Sequence, residues 1–413
     1  VVRPVFDAVG DEVIFYVGAR AHHADIGGLT PGSVPPNSRV VEEEGVLIDD
    51  FLVVEDGILR ERETRQLFAS GEYPSRNVDQ NMADLTAQIA SCEKGVQELQ
   101  RMTSHYSLDV VQAYMGHVQD NAEELVRKVL GVLRGGSFTY PLDSGAEIRV
   151  RIDVDHATRS ATIDFTGTSP QQPDNFNAPT AVCKAAVLYV FRTLVDADIP
   201  LNGGCLKPLN IIVPEGSMLA PQYPAAVVAG NVETSQYVTD TLFGALGTMA
   251  ASQGTMNNIT FGDESWQYYE TNAGGAGAGP DFDGASVVQT HMTNGRLADP
   301  EVHEWRFPVL IECLRIRRGS GGSGRHVGGD GSHRRLRFLR DMAAAIVSCH
   351  REVPPYGMAG GEPGEVGRTW VERADGNAVE LKSSDQIEMN AGDVLVLDTP
   401  SGGGYGPPDE RLV

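Results

Sequence analysis

Apolar and polar positions change their period several times along the chain, and each change predicts an element. Val1–Phe6 and Glu12–Val17 are short apolar runs around the turn Ala8-Val9-Gly10-Asp11, which predicts two strands at the start. From Asp84 to Met102 the apolar residues Leu85, Ile89, Cys92, Val96 and Leu99 step by fours and threes, one stripe on a helix. Ser107–Leu133 repeats the pattern with Val111, Tyr114, Val118, Ala122, Leu125 and Val129, and Gly135-Gly136 ends it. Two such helices are expected to pack together and to carry little chemistry. The period then drops to two: Ile148, Val150, Ile152 and Val154 alternate with charge, and Ala161, Ile163 and Phe165 answer them across a polar turn, a hairpin. Val182–Val195 predicts a buried helix and Val232–Ala251 another. Gly254–Gly284 shows no period and is expected to be irregular, as a functional loop or lid. Two basic strands, Leu310–Arg317 and Arg334–Leu339, flank a glycine cluster at Gly319–Gly331, and Val394–Leu397 is a late apolar strand. Helices and strands without βαβ alternation predict an α+β class with a mixed, multi-layer architecture.

Composition narrows the function classes. The 413 residues are 41% apolar, enough for a large core. A formal charge of −23 argues against nucleic-acid and anionic-membrane partners, which need basic surfaces. No run approaches the roughly 18 apolar residues of a membrane span, and no signal peptide precedes Val1. The five cysteines are scattered and never form a CxxC pair, which fits buried thiols in a reducing cytoplasm. The 47 glycines fall in clusters and so imply tight turns and close backbone approaches.

Candidate chemistry concentrates in two places. Arg20-Ala-His22-His23-Ala-Asp25-Ile-Gly27-Gly28 brings two imidazoles and a carboxylate to a strand end. That donor set suits a transition metal or acid–base work, and equally a turn in which Asp25 holds backbone amides. Gly230-Asn231-Val-Glu233-Thr234-Ser235-Gln236 opens a predicted helix, either as a binding wall of oriented polar groups or as a capping cluster. His291-Met-Thr-Asn294-Gly-Arg296 is a weaker candidate pocket wall. Arg317–Arg325 is rich in glycine but lacks both the GKS/T ending of a P-loop and a GxGxxG fingerprint, so nucleotide binding by this chain is not expected. No GxSxG elbow is present.

These segments together resemble the hydantoinase B/5-oxoprolinase family. Arg20–Gly28 is similar to its RxHxxDIGG signature. Pro74-Ser-Arg-Asn77, Asn81-Met-Ala-Asp84-Leu-Thr-Ala-Gln88, Asp164-Phe-Thr-Gly-Thr168, Asn202–Pro208, Pro214–Leu219, Ala229–Gln236, Gln253–Asn258, Arg317–Arg325 and Gly403–Gly406 follow in family order. Tyr268-Tyr-Glu-Thr, Thr290–Asn294 and Asp299–Trp305 lean to the 5-oxoprolinase branch. The resemblance implies one hydantoinase B-type domain over 1–413, read as 1–145 (metal-motif strands and helical pair), 146–350 (α/β body) and 351–413 (C-terminal β segment). It implies an ATP-dependent cyclic amide hydrolase opening 5-oxo-L-proline to L-glutamate, in which a hydantoinase A-type partner binds ATP and phosphorylates the lactam oxygen. This domain would supply a metal-activated water; Zn, Mn, Mg and Fe are equally compatible with the donors. In that scheme His22 is a metal ligand, Asp25 a ligand or its orienter and a catalytic group, and Glu233 catalytic. Asn231, Thr234, Ser235, Gln236, Asn294 and Arg296 line the substrate, and the complex is oligomeric. The family's domain carries a further region of roughly a hundred residues upstream, with DFS- and HLPD-type motifs that supply more ligands, and Val1 falls just after the HLPD position. Asn272–Gly279, His326 and His333 depart from the family's usual residues. Another lactam or hydantoin as substrate, or a truncated and silent interaction subunit, are the alternatives.

Overall fold

A computed structural model describes residues 1–263 and 266–410. Val2–Phe6 and Val13–Gly18 pair antiparallel as expected. They lie on a helical layer formed by α1 (Glu61–Phe68), α2 (Val78–Tyr106) and α3 (Leu108–Leu130). Val5 and Phe15 of the hairpin meet Val96 of α2 and Val111 of α3 in a small apolar cluster. The Asn77 side chain accepts from Gln80 N and starts α2, and the single residue Ser107, at φ 70°, turns the chain from α2 into α3.

Of the α2 stripe Leu85, Cys92 and Val96 are buried and Ile89 and Leu99 half-buried, as the spacing implies, but the α3 stripe is only half right. Val111 and Ala122 are buried, whereas Tyr114 is 66% and Val118 43% exposed. The core contacts of the C-terminal half of α3 are Ala122, Val126 and Leu130. The helix leaves the body in its middle turns, so one periodic stripe serves two separate contacts and lies open between them.

The main core lies under a four-stranded sheet in the order Gly136–Pro141, Glu147–Asp155, Ser160–Asp164, Leu209–Ile212, the last pair parallel. Two helices, α4 (Thr180–Thr193) and α5 (Ser235–Leu246), fill it with Val187, Val190, Phe191, Tyr237, Val238 and Leu242. The second core is a sandwich. One sheet runs Gln267–Glu270, Asn258–Gly262, Met342–Val347, Ser384–Met389; the other runs Val309–Ile316, Ser332–Phe338, Val394–Asp398, Arg368–Glu372, Ala378–Leu381. Ile259, Phe261, Leu336, Phe338, Val371 and Leu395 meet between them. A short α6 (Pro300–Arg306), capped by Asp299, buries His303 against Phe261, Tyr268 and Phe307.

Three boundaries differ from expectation. The helix expected to run to Leu133 and end at Gly135-Gly136 stops at Leu130 with Gly131 as its cap, and Gly136 opens a strand. The helix expected to reach Ala251 ends at Leu246, because Gly247 takes a left-handed φ of 65°, and it begins with a π-turn at Gly230–Thr234. The stretch from Gly254 to Gly284, expected to be irregular, contains two paired strands; within it Glu264 and Ser265 lie outside the described residues. The glycine clusters interlock between the two cores. A Cβ on Gly402 would stand 1.9 Å from the Ala276 carbonyl oxygen, and one on Gly275 would stand 1.8 Å from that of Gly329. Among the described residues no helix is long and apolar enough to cross a membrane.

Candidate functional site

The loop after the first hairpin is organised by Asp25, which is 2% exposed. Its Oδ1 accepts from Gly27 N at 2.9 Å and Arg76 N at 3.1 Å, and its Oδ2 from Gly32 N at 3.1 Å and Arg76 Nη1 at 2.9 Å. Asn81 Nδ2 donates to the Asp25 carbonyl at 2.7 Å, and Ser75 Oγ donates to Asn81 Oδ1 at 2.5 Å. Two segments noted in the sequence, Pro74–Asn77 and Asn81–Gln88, are thus the brace of the third. Gly27, at φ 96°, admits no side chain, since a Cβ would lie 2.0 Å from Tyr73 O. Both Asp25 oxygens are engaged, so acting as a base or a metal donor would first require displacing Arg76.

The two histidines of this loop differ. His22 is exposed. His23 stands half-buried against Phe68, its Nδ1 3.1 Å from Asp84 Oδ2, which leaves Nε2 as the uncommitted ring nitrogen. Among the described residues no group of three or more His, Cys, Asp and Glu side chains converges to hold a metal ion. An exposed His22, a His23 tied to Asp84 and a saturated Asp25 do not complete a divalent site.

At the mouth of α5 most of the predicted wall is interior. Asn231 is exposed, but Glu233, Thr234, Ser235 and Gln236 have no exposed surface. Thr234 Oγ1 donates to Phe176 O at 2.5 Å and Ser235 Oγ to Asn231 O at 2.8 Å. The Gln236 amide donates to His291 O and accepts from Thr290 Oγ1 at 3.3 Å. These contacts knit the π-turn to its neighbours. Asn294 and Arg296 lie exposed on the loop beyond His291.

Glu233 is the exception in chemistry. Its Oε1 accepts from Met256 N at 3.1 Å and Asn258 Nδ2 at 2.6 Å, while Oε2 has no partner among the described residues. Burial pushes its carboxyl up to about 8, against hydrogen bonds from Thr255 and Met256 and the nearby Arg351 charge that pull it down. Arg351 itself is held down to about 10 by burial, and its Nε lacks a partner among the described residues. Arg351 donates to Cys349 O at 2.7 Å, Asn257 Oδ1 at 3.0 Å and Thr369 Oγ1 at 3.3 Å.

Cys349 and Arg351 also line a cleft of about 1110 Å³ where the two cores meet. Leu142–Ser144, Asp174 and Phe176 come to it from the first, and Arg317, Gly367–Thr369 and Leu381–Ser384 from the second. Burial raises the Asp174 carboxyl there. None of the catalytic, substrate or metal candidates chosen from the sequence lines this cleft, and Arg317 of the glycine-rich segment is on its wall; Glu233 is the candidate electrostatically coupled to that wall, through Arg351 and Cys349. Arg351 was missed because its one sequence signal, a charge just past the apolar run Met342–Val347, reads as an ordinary strand end. A buried grouping of Ser252, His291 and Asp240 was also missed. Ser252 Oγ lies 3.1 Å and Asp240 Oδ1 3.5 Å from the same His291 Nε2, with Tyr189 OH 3.0 Å from Nδ1. Hydroxyl and carboxylate share one ring nitrogen, so the imidazole cannot relay a proton between them, and the group serves as a polar brace.

Three comparisons bear on this geometry. The family model described as hydantoinase B/oxoprolinase matches residues 1–408. The 5-oxoprolinase of Dictyostelium discoideum is 42% identical over 100% of this chain and 33% of its own length, and 5-oxoprolinase 1 of Arabidopsis thaliana is 43% identical over 98% and 34%. The chain therefore spans about a third of the length of these curated relatives. The crystal structure of an ATP-dependent caprolactamase from Pseudomonas jessenii shares the fold, with a TM-score of 0.87 at 23% identity over 100% of this chain and 75% of that one.

Proposed function

This chain belongs to the hydantoinase B/oxoprolinase family, and from that premise we propose that it is the hydrolytic component of an ATP-dependent 5-oxoprolinase. In this reading a hydantoinase A-type partner binds ATP and phosphorylates the lactam oxygen of 5-oxo-L-proline. Water then adds to the activated carbon, the ring C–N bond breaks as the nitrogen takes a proton, and a second water hydrolyses the resulting acyl phosphate to L-glutamate and phosphate.

The observation that carries the reading is Glu233, a buried carboxyl pushed up to about 8, its Oε2 without a partner among the described residues, coupled through Arg351 to the wall of the cleft between the two cores. A carboxyl that titrates near neutrality can both take a proton from water and return one to the leaving nitrogen. Arg351, beside it, is suited to the substrate carboxylate. Asn231, Thr234, Ser235 and Gln236 hold the turn that carries Glu233, and Asn294 and Arg296 are solvent-side candidates for substrate or partner contact.

A divalent metal at His22 would need donors beyond those the described residues bring together, because Asp25 is held by Arg76 and keeps the loop instead. Five unpaired cysteines accord with a reducing, cytoplasmic setting.

The test is reconstitution with an A-type partner, measuring glutamate released from 5-oxoproline with ATP, with other lactams and hydantoins in parallel. Release that needs this chain supports the reading. Turnover only of another lactam would move the substrate and keep the chemistry, and no turnover of any would favour the silent subunit, a reading that the saturated Asp25 also favours.

A further inference from the structure

One end of the five-stranded sheet carries chemistry that the hydrolytic reading does not use. Arg315, His333, Asp398 and Arg368 are consecutive cross-strand partners: Arg315 faces His333, His333 faces Asp398, and Asp398 faces Arg368. Directly opposed residues present their side chains on one face of the sheet, with Cβ atoms about 5 Å apart. The row borders an open groove of about 670 Å³ lined by Arg315, Arg317, Arg318, Ser320, His333, Glu365 and Asp398.

The charges in this groove do not cancel. Glu365 is taken by Arg317 at 2.9 Å, and Arg317 is further tied to the Thr399 and Val366 carbonyls. Arg368 is taken by Glu380 at 2.7 Å and lies over the Trp370 ring. Asp398 Oδ1 lies 2.7 Å from His333 Nδ1, in a pair whose side chains are only 14% and 21% exposed. Arg315 and Arg318 are exposed and have no ion-pair partner among the described residues. Two uncommitted guanidinium groups on a chain of net charge −23 are a local exception to its field. An imidazole whose Nδ1–H is given to a carboxylate keeps Nε2 for a ligand and is fixed in orientation.

We propose that this groove binds a phosphate-class oxyanion. Arg315 and Arg318 form the charged fork that grips it, and His333, held by Asp398, supplies an oriented contact from the floor, its Nε2 accepting from the P–OH of a hydrogen phosphate. The shape argues for the same chemistry: guanidinium groups match phosphate oxygens in pairs, and a groove wider than one phosphate accommodates a phosphoryl group on a larger molecule. The groove adjoins the cleft walled by Arg351, with Arg317, Glu365 and Asp398 lining both, but Arg315, Arg318 and His333 line the groove alone and have no part in the hydrolytic assignment.

Calorimetry and phosphorus NMR of the full chain, titrated with inorganic phosphate in a buffer free of sulfate and phosphate, test this. The expected result is saturable binding that weakens as chloride is raised. An Arg315→Gln/Arg318→Gln double variant should lose about tenfold or more in affinity. His333→Gln should weaken binding less, with near-ultraviolet circular dichroism unchanged in both. Titration with ADP and with acetyl phosphate separates the sources. Tighter binding of ADP, lost in the same variants, identifies the phosphoryl end of a nucleotide. Equal affinity for all three identifies a free phosphate or a small acyl phosphate. No saturable binding by the wild type, or wild-type affinity in the double variant, overturns the proposal.

Discussion

Glu233 carries its burden as a buried acid, and the sign of its effect on stability follows from where it titrates. Below its ordinary value of 4.5 the group is protonated in the folded and unfolded chain alike. Between 4.5 and about 8 the unfolded chain has released a proton that the fold still holds, so this group's contribution to stability is lost as pH rises through that window and is flat above it. Wild type should therefore fall in melting temperature relative to Glu233→Gln between about pH 5 and 8, losing at most about 1.4 kcal/mol per pH unit; parallel melting curves would show that the carboxyl is not held protonated. Asp25 is the opposite case, a carboxylate met by Arg76 and three amides. Arg76→Ala leaves that charge buried and should cost about 3 kcal/mol in chemical denaturation. An Asp25→Asn/Arg76→Ala pair should cost less than the two single changes summed, because the second removes the orphan that the first creates.

At the scale of elements, α3 gives the sharpest contrast. Tyr114 and Val126 lie on the same helix, yet only Val126 touches a core. Val126→Ala should destabilise by about 2 kcal/mol, while Tyr114→Ser should stay within about 0.5 kcal/mol; equal losses would mean that the exposed stripe is covered in solution. The glycine segments make a second element-level claim. Gly402→Ala sets a methyl group into the Ala276 carbonyl, with Gly277 N only 2.8 Å from the same Cβ. Both neighbours are backbone and cannot yield, so the variant should be recovered mostly insoluble or with a melting temperature lowered by roughly 10 °C. A soluble variant with an unchanged melting temperature would contradict the interlock. The opening hairpin, α2, the Ile148–Phe165 hairpin and the basic strands were legible because each buries one face and so repeats its period. Strands such as Met342–Val347 and Arg368–Glu372 were not legible: the first is buried nearly throughout and shows no alternation, and the second is masked by charge on its open side.

Across the whole molecule the same division holds for the site. The Asp25 loop and the Glu233 turn could be found from sequence because their residues are neighbours in the chain. The cleft could not, because Asp143, Asp174 and Arg351 come from loops and Thr369 from a strand, distributed over two cores, and they meet only after both have folded. Nor could sequence show that Thr234, Ser235 and Gln236 turn inward, since polar side chains at a helix start serve equally as wall and as brace. The central claim is that the buried Glu233 carboxyl moves the protons of ring opening while ATP is spent by the partner. Glutamate release and ATP hydrolysis, measured together for wild type and Glu233→Gln in the reconstituted complex, test it most directly. The account predicts that the variant loses glutamate release by about two orders of magnitude or more while the partner still hydrolyses ATP. Glutamate release at the wild-type rate, with ATP use still coupled to it, would contradict the account.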